Sequence, residues 1–91
     1  MEKVYDLDTR LINFADKIID IAEALPVTSA GRYVSGQIVR SGLAPALQYA
    51  EAQAAESRAD FVHKMKISLK ELRETFTALR LIFKRKWIVP E

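Results

Sequence analysis

The chain has 91 residues, of which 49% are hydrophobic and 29% are charged, with three Gly and three Pro. This length allows one domain with a small core, and the composition excludes a disordered or fibrous chain. The absence of cysteine excludes disulfides and thiolate metal sites, and it favours a cytoplasmic location. Since no segment reaches 18 consecutive apolar residues and the N-terminus lacks a signal-peptide pattern, we expect neither a membrane span nor secretion.

The net charge of +2 is distributed unevenly along the chain. Residues 1–57 contain five basic and eight acidic residues, whereas residues 58–86 contain nine basic and three acidic residues. A basic segment of this kind attracts phosphate groups or an acidic protein surface. The alternative is a lysine-rich helix face that contacts only water.

The first predicted helix spans residues 8–25. Its large apolar residues recur every three or four positions, which places them on one side of a helix. They are Leu7, Leu11, Phe14, Ile18, Ile21 and Leu25. Either Asp6 or Asp8 can cap the start of this helix, and Pro26 ends it.

The second predicted helix spans residues 28–55, with Thr28 or Ser29 as its cap. Pro45 disfavours helical geometry at the preceding residue, so we predict a kink at residues 41–45. The glycines of this helix, Gly31 and Gly36, each lower its stability by roughly 1 kcal/mol relative to alanine. We therefore expect that they allow a neighbouring helix to approach closely.

The third predicted helix spans residues 57–86, and Ser57 can cap its first turn. Apolar residues again recur at steps of three and four, which defines an apolar stripe on one side of a helix that is about 40 Å long. The stripe consists of Val62, Met65, Leu69, Leu72, Phe76, Leu79 and Phe83. We expect neighbouring helices to bury it, and this expectation organises the whole fold prediction.

The pattern as a whole predicts an all-α fold, an antiparallel up-down helical bundle formed by residues 1–91 as a single domain. The last residues, Pro90 and Glu91, are typical of the first turn of a further helix. The chain thus has the pattern of a four-helix bundle whose last helix is missing. Self-association is the simplest way to cover the apolar surface that remains.

The sequence contains no pattern that indicates an enzyme. The single histidine, His63, cannot supply a di-iron or zinc site, and we expect it on a helix surface or at an interface. No glycine-rich phosphate loop and no nucleophile turn are present. We therefore predict a non-enzymatic protein without a metal or other cofactor.

The basic residues of the third helix are the candidate binding site for nucleic acid or for a protein partner. The basic residues whose spacing is close to the period of a helix can lie on one side of it. The candidates are Lys64, Lys66, Lys70, Arg73, Arg80, Lys84, Arg85 and Lys86. Trp87 can either stack on a base or anchor the chain end to the bundle.

A second set of charged residues is predicted to form structural ion pairs that fix the register of the helices. The alternative, a pair of carboxylates for acid–base catalysis, is less favoured by the pattern. The set consists of Arg40, Glu51, Glu56, Arg58, Glu71 and Glu74.

Three segments of the chain are similar to a known family: YDLDTRLINFADKIIDIAEALP, VRSG and YAEAQAAESRADFVHKMKISLKELRET. They extend over nearly the whole chain, and the string AQAAESRADFVHK is the most specific part. The chain resembles the four-helix-bundle family of 23S rRNA-intervening-sequence proteins. This bacterial family is related to the accessory variability proteins of diversity-generating retroelements.

The resemblance implies a ring-shaped homopentamer of antiparallel bundles, without enzymatic activity, whose basic surface contacts RNA or DNA. A scaffold or adaptor that binds an acidic protein partner is the alternative. Two features differ from the family pattern. Family chains continue through one more helix after the segment that matches residues 87–91, and residues 42–45 are less polar than is usual there.

Overall fold

The computed structural model describes residues 6–88, which form three α-helices and contain no strand. Helix α1 spans Leu7–Glu23, α2 spans Ser29–Gln53 and α3 spans Arg58–Lys84. Each bound lies within two residues of the predicted one, and the all-α class is confirmed. The helix start predicted at Pro90 lies outside the described residues. None of the described helices is both long and apolar enough to cross a bilayer.

A side-chain oxygen caps the first turn of every helix. Each cap accepts a hydrogen bond from the backbone N–H three residues further on, a group that has no partner inside the helix. The bonds run from Thr9 to Asp6 (3.2 Å), from Gly31 to Thr28 (3.0 Å) and from Asp60 to Ser57 (3.0 Å). The local sequence therefore determines where the helices begin.

Helix α2 continues through the position where the sequence predicts a kink at residues 41–45. Pro45 lies inside the helix, and no break separates the two halves. Proline removes one backbone hydrogen bond there, yet Ser41 and Pro45 are both buried against the other helices. The Ser68 hydroxyl of α3 also donates to the Pro45 carbonyl at 3.2 Å. Tertiary contacts thus hold a helix that proline by itself would weaken.

The three helices form a layer with α2 in the middle. Helix α2 packs against both α1 and α3, whereas the backbones of α1 and α3 do not approach each other. The layer measures 44 × 29 × 17 Å. On one side of it, Phe14 of α1 and Phe76 of α3 make an edge-to-face contact with ring centroids 6.2 Å apart. The described residues thus form three helices, the number that the sequence pattern predicted within this chain.

The core lies where one isoleucine from each helix is almost inaccessible to water. Ile18 is 2% exposed, and Ile38 and Ile82 are fully buried. Ala22 and Leu25 complete the buried cluster. Burial of such a side chain stabilises the fold by about 1.5–3 kcal/mol, so this small cluster is a major source of stability.

Close approach of α1 and α2 depends on Gly42, which the prediction had placed in the kink. A Cβ atom on Gly42 would lie 2.7 Å from Cγ2 of Ile18. Gly36, by contrast, has no atom within 4 Å of its Cβ position. A Cβ on Gly31 would collide with the Pro26 carbonyl oxygen, so Gly31 serves the turn that precedes its helix. The expectation that Gly31 and Gly36 admit a neighbouring helix was therefore wrong.

Polar contacts set the register between α2 and α3. The hydroxyl oxygens of Ser41 and Thr75 lie 2.7 Å apart, and Thr75 is completely buried. The Thr75 hydroxyl also lies 3.0 Å from the Glu71 carbonyl oxygen. Because an unpaired buried hydroxyl costs roughly 1–3 kcal/mol, a shift in register that separated Ser41 from Thr75 would be unfavourable.

The apolar stripe predicted on α3 is only partly buried. Met65, Leu72 and Leu79 are half-buried. The other four members, which we call the apolar face, are 41–53% exposed: Val62, Leu69, Phe76 and Phe83. The prediction that neighbouring helices bury the whole stripe was therefore wrong for the described chain.

The row of α3 that contacts α2 consists instead of Ser68, Thr75 and Ile82. Three members of the apolar face each follow one of these residues by one position, which rotates them by about 100° around the helix axis. Small side chains face α2 because they let the two helices pack closely. The larger side chains are consequently turned toward the side of the layer where Phe14 meets Phe76.

Candidate functional site

Five exposed cations line the outer side of α3, and we call them the basic ridge. They recur at three-, four- and seven-residue steps, so they project within about 80° of one another. The ridge consists of Lys66, Lys70, Arg73, Arg80 and Lys84. Its direction is opposite to that of the buried residues Ser68, Thr75 and Ile82. From first to last residue it extends for roughly 27 Å.

The cations of the basic ridge form no close ion pairs within the described residues. None of the ion pairs between residues 6 and 88 includes a ridge side chain. The two glutamates of α3, Glu71 and Glu74, are instead engaged by Arg40 of α2. The ridge therefore presents a net positive charge to water, and among its cations Lys70 lies close enough to Glu74 to stabilise that carboxylate.

The other three predicted cations do not belong to the ridge. Lys64 points toward α2, where its ammonium lies 3.6 Å from Glu51, and it also lies 3.7 Å from Asp60. The Arg85 guanidinium lies 5.7 Å from the ring centroid of Trp87. Lys86 follows the end of α3 and has a positive φ of 59°. The basic candidates thus divide into an outer row and three cations with other surroundings.

The tryptophan at the end of α3 belongs to the core. Trp87 is half-buried and packs against the central cluster, as does Ile88. Its backbone N–H donates to the Ile82 carbonyl at 3.2 Å, which folds the chain back after the helix. Trp87 therefore anchors the end of α3 to the bundle, which is one of its two predicted roles.

Among the predicted ion-pair residues, Arg40 has the central position. Its guanidinium donates to Glu71 at 3.0 Å and to Glu74 at 2.8 Å, so it joins α2 to two successive turns of α3. The hydrogen bond from Arg40 is the main reason that the pKa of Glu74 lies below its usual value. The same bond to Glu74 is the main reason that the pKa of Arg40 is raised.

Of the remaining ion-pair candidates, one forms an ion pair between α2 and α3 and two do not, among the described residues. Glu51 pairs with Lys64. Glu56 and Arg58 are exposed residues at the turn before α3, and neither takes part in an ion pair with another described residue. At this exposed turn, water solvates both charges, and a surface pair would add little stability.

His63 lies on the helix surface near the start of α3. It lines a shallow depression with four neighbours on the same helix: Arg58, Ala59, Val62 and Lys66. The described residues contain no cluster of three or more side chains that could hold a metal ion.

A groove of about 510 Å³ lies between α2 and α3, beside the basic ridge. Two ridge residues, Lys70 and Arg73, form part of its wall. Its other lining residues are Gln37, Glu74, Thr77, Ala78 and Leu81. Sequence reasoning found the cations of this groove but missed Gln37, since its proximity to them depends on the pairing of α2 with α3.

The chain resembles proteins of one family in both sequence and structure. The family model described as "23S rRNA-intervening sequence protein" matches residues 5–91. A crystal structure of a protein with unknown function, from the S23 ribosomal protein family of Bacteroides thetaiotaomicron, is 33% identical, with a TM-score of 0.85. The match covers 92% of this chain and 78% of that one.

No curated protein matches the chain significantly. The family match extends over almost the entire sequence, and a solved structure of similar fold supports it. The chain therefore belongs to the family of 23S rRNA-intervening sequence proteins.

Proposed function

We propose that this chain is a non-enzymatic nucleic-acid-binding protein whose basic ridge contacts the sugar–phosphate backbone. The observation that supports this function is the row of five exposed cations, none of which pairs with a described acid. A nucleic-acid strand carries one charge per phosphate, and each phosphate neutralised by Lys or Arg releases a condensed counterion. Binding by this row is therefore electrostatic and largely independent of base sequence.

The ridge is straight, and this shape favours contact with an extended sugar–phosphate backbone rather than with a compact ligand. All five cations lie on a single helix, so they hold a fixed spacing over roughly 27 Å. Five contacts with a duplex correspond to a slope of about −4.5 in log K against log salt concentration. We therefore expect the affinity of this surface for a duplex to fall steeply as the salt concentration rises.

We further propose that the protein functions as a homo-oligomer. The apolar face of α3 exposes large hydrophobic side chains, and such surfaces are typical of sites covered by another helix or subunit. A pentameric ring is the form that the family resemblance favours. In a complete four-helix bundle, the fourth helix would lie over this face, between α1 and α3. A neighbouring subunit and a fourth helix would thus cover the same hydrophobic surface, the apolar face.

The test of nucleic-acid binding is fluorescence anisotropy with labelled duplex and single-stranded oligonucleotides at about 50 mM and 200 mM salt. The ridge variant Lys66→Ala/Arg73→Ala/Arg80→Ala should bind more weakly and reduce the salt slope by roughly three. The control variant replaces three exposed cations outside the ridge, Arg10, Lys17 and Arg32, and has the same net charge. It should retain most of the affinity.

Two results would contradict the proposal. Equal weakening by the ridge and control variants would show that only net charge matters. Absence of binding to any oligonucleotide at about 50 mM salt would remove nucleic acid as the partner. The alternative, an adaptor that uses the ridge to bind an acidic protein, would then be favoured by a nuclease-resistant complex that the ridge variant loses.

A further inference from the structure

The groove between α2 and α3 combines cations with apolar surface. Lys70 and Arg73 supply charge on its outer wall, where it joins the basic ridge. Farther along α3, Ala78 and Leu81 line it, and Leu81 is 46% exposed. A ligand that follows the ridge would therefore meet an apolar surface immediately beside its charged contacts.

An exposed aromatic ring is hydrogen-bonded to one of the residues that line this groove. Tyr33 of α2 is 68% exposed. Gln37, one turn later on α2, lines the groove and donates from its amide to the Tyr33 hydroxyl at 3.1 Å. This hydrogen bond orients the ring from its polar end and leaves most of the aromatic surface open to water. Such a ring is suited to stacking on a planar group.

The carboxylate in the groove does not prevent binding of an anion. Glu74 accepts a hydrogen bond from Arg40, which also pairs with Glu71, and the charge of Lys70 stabilises Glu74 as well. Three cations, Arg40, Lys70 and Arg73, thus stand against two carboxylates. Neither Lys70 nor Arg73 forms a close ion pair with another described residue. The groove consequently retains a positive balance where it meets the ridge.

We propose that this groove binds a single-stranded polynucleotide, with phosphates at Lys70 and Arg73 and an unpaired base stacked on Tyr33 beside Leu81. The inference rests on the function proposed above and specifies the form of nucleic acid. Bases of a single strand are free to stack on aromatic side chains, and such stacking tolerates any base. A duplex keeps its bases paired and stacked inside, so it can use the ridge but not the groove.

The test compares Tyr33→Ala with the wild type on three probes of equal phosphate number: single-stranded RNA, single-stranded DNA and duplex DNA. We expect wild-type protein to prefer the single strands. Tyr33→Ala should weaken single-strand binding about 5- to 150-fold, which corresponds to the loss of one stacked base. The affinity for duplex DNA should stay unchanged. Comparison of single-stranded RNA with single-stranded DNA shows whether the sugar contributes to the affinity.

Two control variants separate stacking from other effects. Tyr33→Phe keeps the ring and should bind single strands much as the wild type does. Phe61→Ala removes an aromatic side chain, 39% exposed, from α3 outside the groove, and it should not alter the preference. Circular dichroism of every variant confirms that the helices persist.

Equal binding of single strands and duplex by the wild type, unaffected by Tyr33→Ala, would overturn the inference while the ridge proposal stands. Equal weakening of all probes by Tyr33→Ala would also overturn it, because a stacking role affects only unpaired bases. Absence of binding to every probe would refute the proposed function and this inference together.

Discussion

The close contact between α1 and α2 predicts that a side chain larger than that of Gly42 destabilises the fold. An alanine there would place its Cβ 2.7, 3.0 and 3.1 Å from three carbon atoms of Ile18. Carbon atoms in favourable contact are about 3.5–4.0 Å apart, so the methyl group would overlap Ile18 strongly. Ile18 is 2% exposed and cannot move into solvent, so α1 would have to shift. Overpacking of this kind costs about 1–3 kcal/mol.

Gly36 provides a matched control on the same helix. No atom lies within 4 Å of its Cβ position, so Gly36→Ala adds a methyl group without a clash. Alanine stabilises a helix interior by roughly 0.5–1 kcal/mol relative to glycine, and this gain applies to both substitutions. The difference in free energy of unfolding between the two variants therefore isolates the steric cost, about 1–3 kcal/mol.

The measurement is thermal unfolding of the two variants, followed by circular dichroism at equal protein concentration. For a domain of this size each 1 kcal/mol changes the melting temperature by about 4–8 °C. We expect Gly36→Ala to melt above the wild type, and Gly42→Ala to melt at least about 4 °C below Gly36→Ala. Equal melting temperatures of the two variants would refute the close packing of Ile18 on Gly42.

Two further predictions concern the surface. The pKa of Glu74 is lowered in the folded state, so the unfolded state binds more protons between the two pKa values and stability falls as the pH decreases through this acidic range. Glu74→Gln should flatten that part of a plot of melting temperature against pH, and an unchanged profile would contradict the role of Arg40. Leu69→Lys combined with Phe83→Lys should lower the mass measured by light scattering to that of a monomer while helix content persists. An unchanged oligomer would exclude the apolar face as the contact between copies.

Local chemistry made part of the structure predictable from sequence. The caps Asp6, Thr28 and Ser57 act within three residues of themselves, so the helix starts could be read from the chain. The outer position of the basic ridge was also predictable, because charged side chains at helical spacing avoid the core. Arg40 was identified among the ion-pair candidates, since a cation on one helix and acids on the next suit an interhelical pair.

The residues of the candidate site were harder to predict from the sequence, because their positions depend on how α2 and α3 pack. Gln37 and Leu81 are 44 positions apart in the chain and carry no motif, so nothing local indicates that they line one groove. Lys64 was grouped with the binding cations for its charge, yet it lies two positions before Lys66, on the opposite side of the helix, and contacts Glu51 of α2. Spacing along one helix gives the relative direction of side chains but not the direction of the neighbouring helix.

The sequence by itself determined three helices, their starting residues and a helix with a positively charged side, because those features depend on groups close together in the chain. The tertiary structure decided which side of α3 faces α2. That choice favours Ser68 and Thr75 over the larger residues beside them. Close packing, the hydrogen bond of Thr75 with Ser41 and that of Ser68 with the Pro45 carbonyl outweigh the burial of bulkier apolar groups. For the same reason Phe76 and Phe83 remain exposed, and the apolar face becomes available for contacts with another helix or subunit.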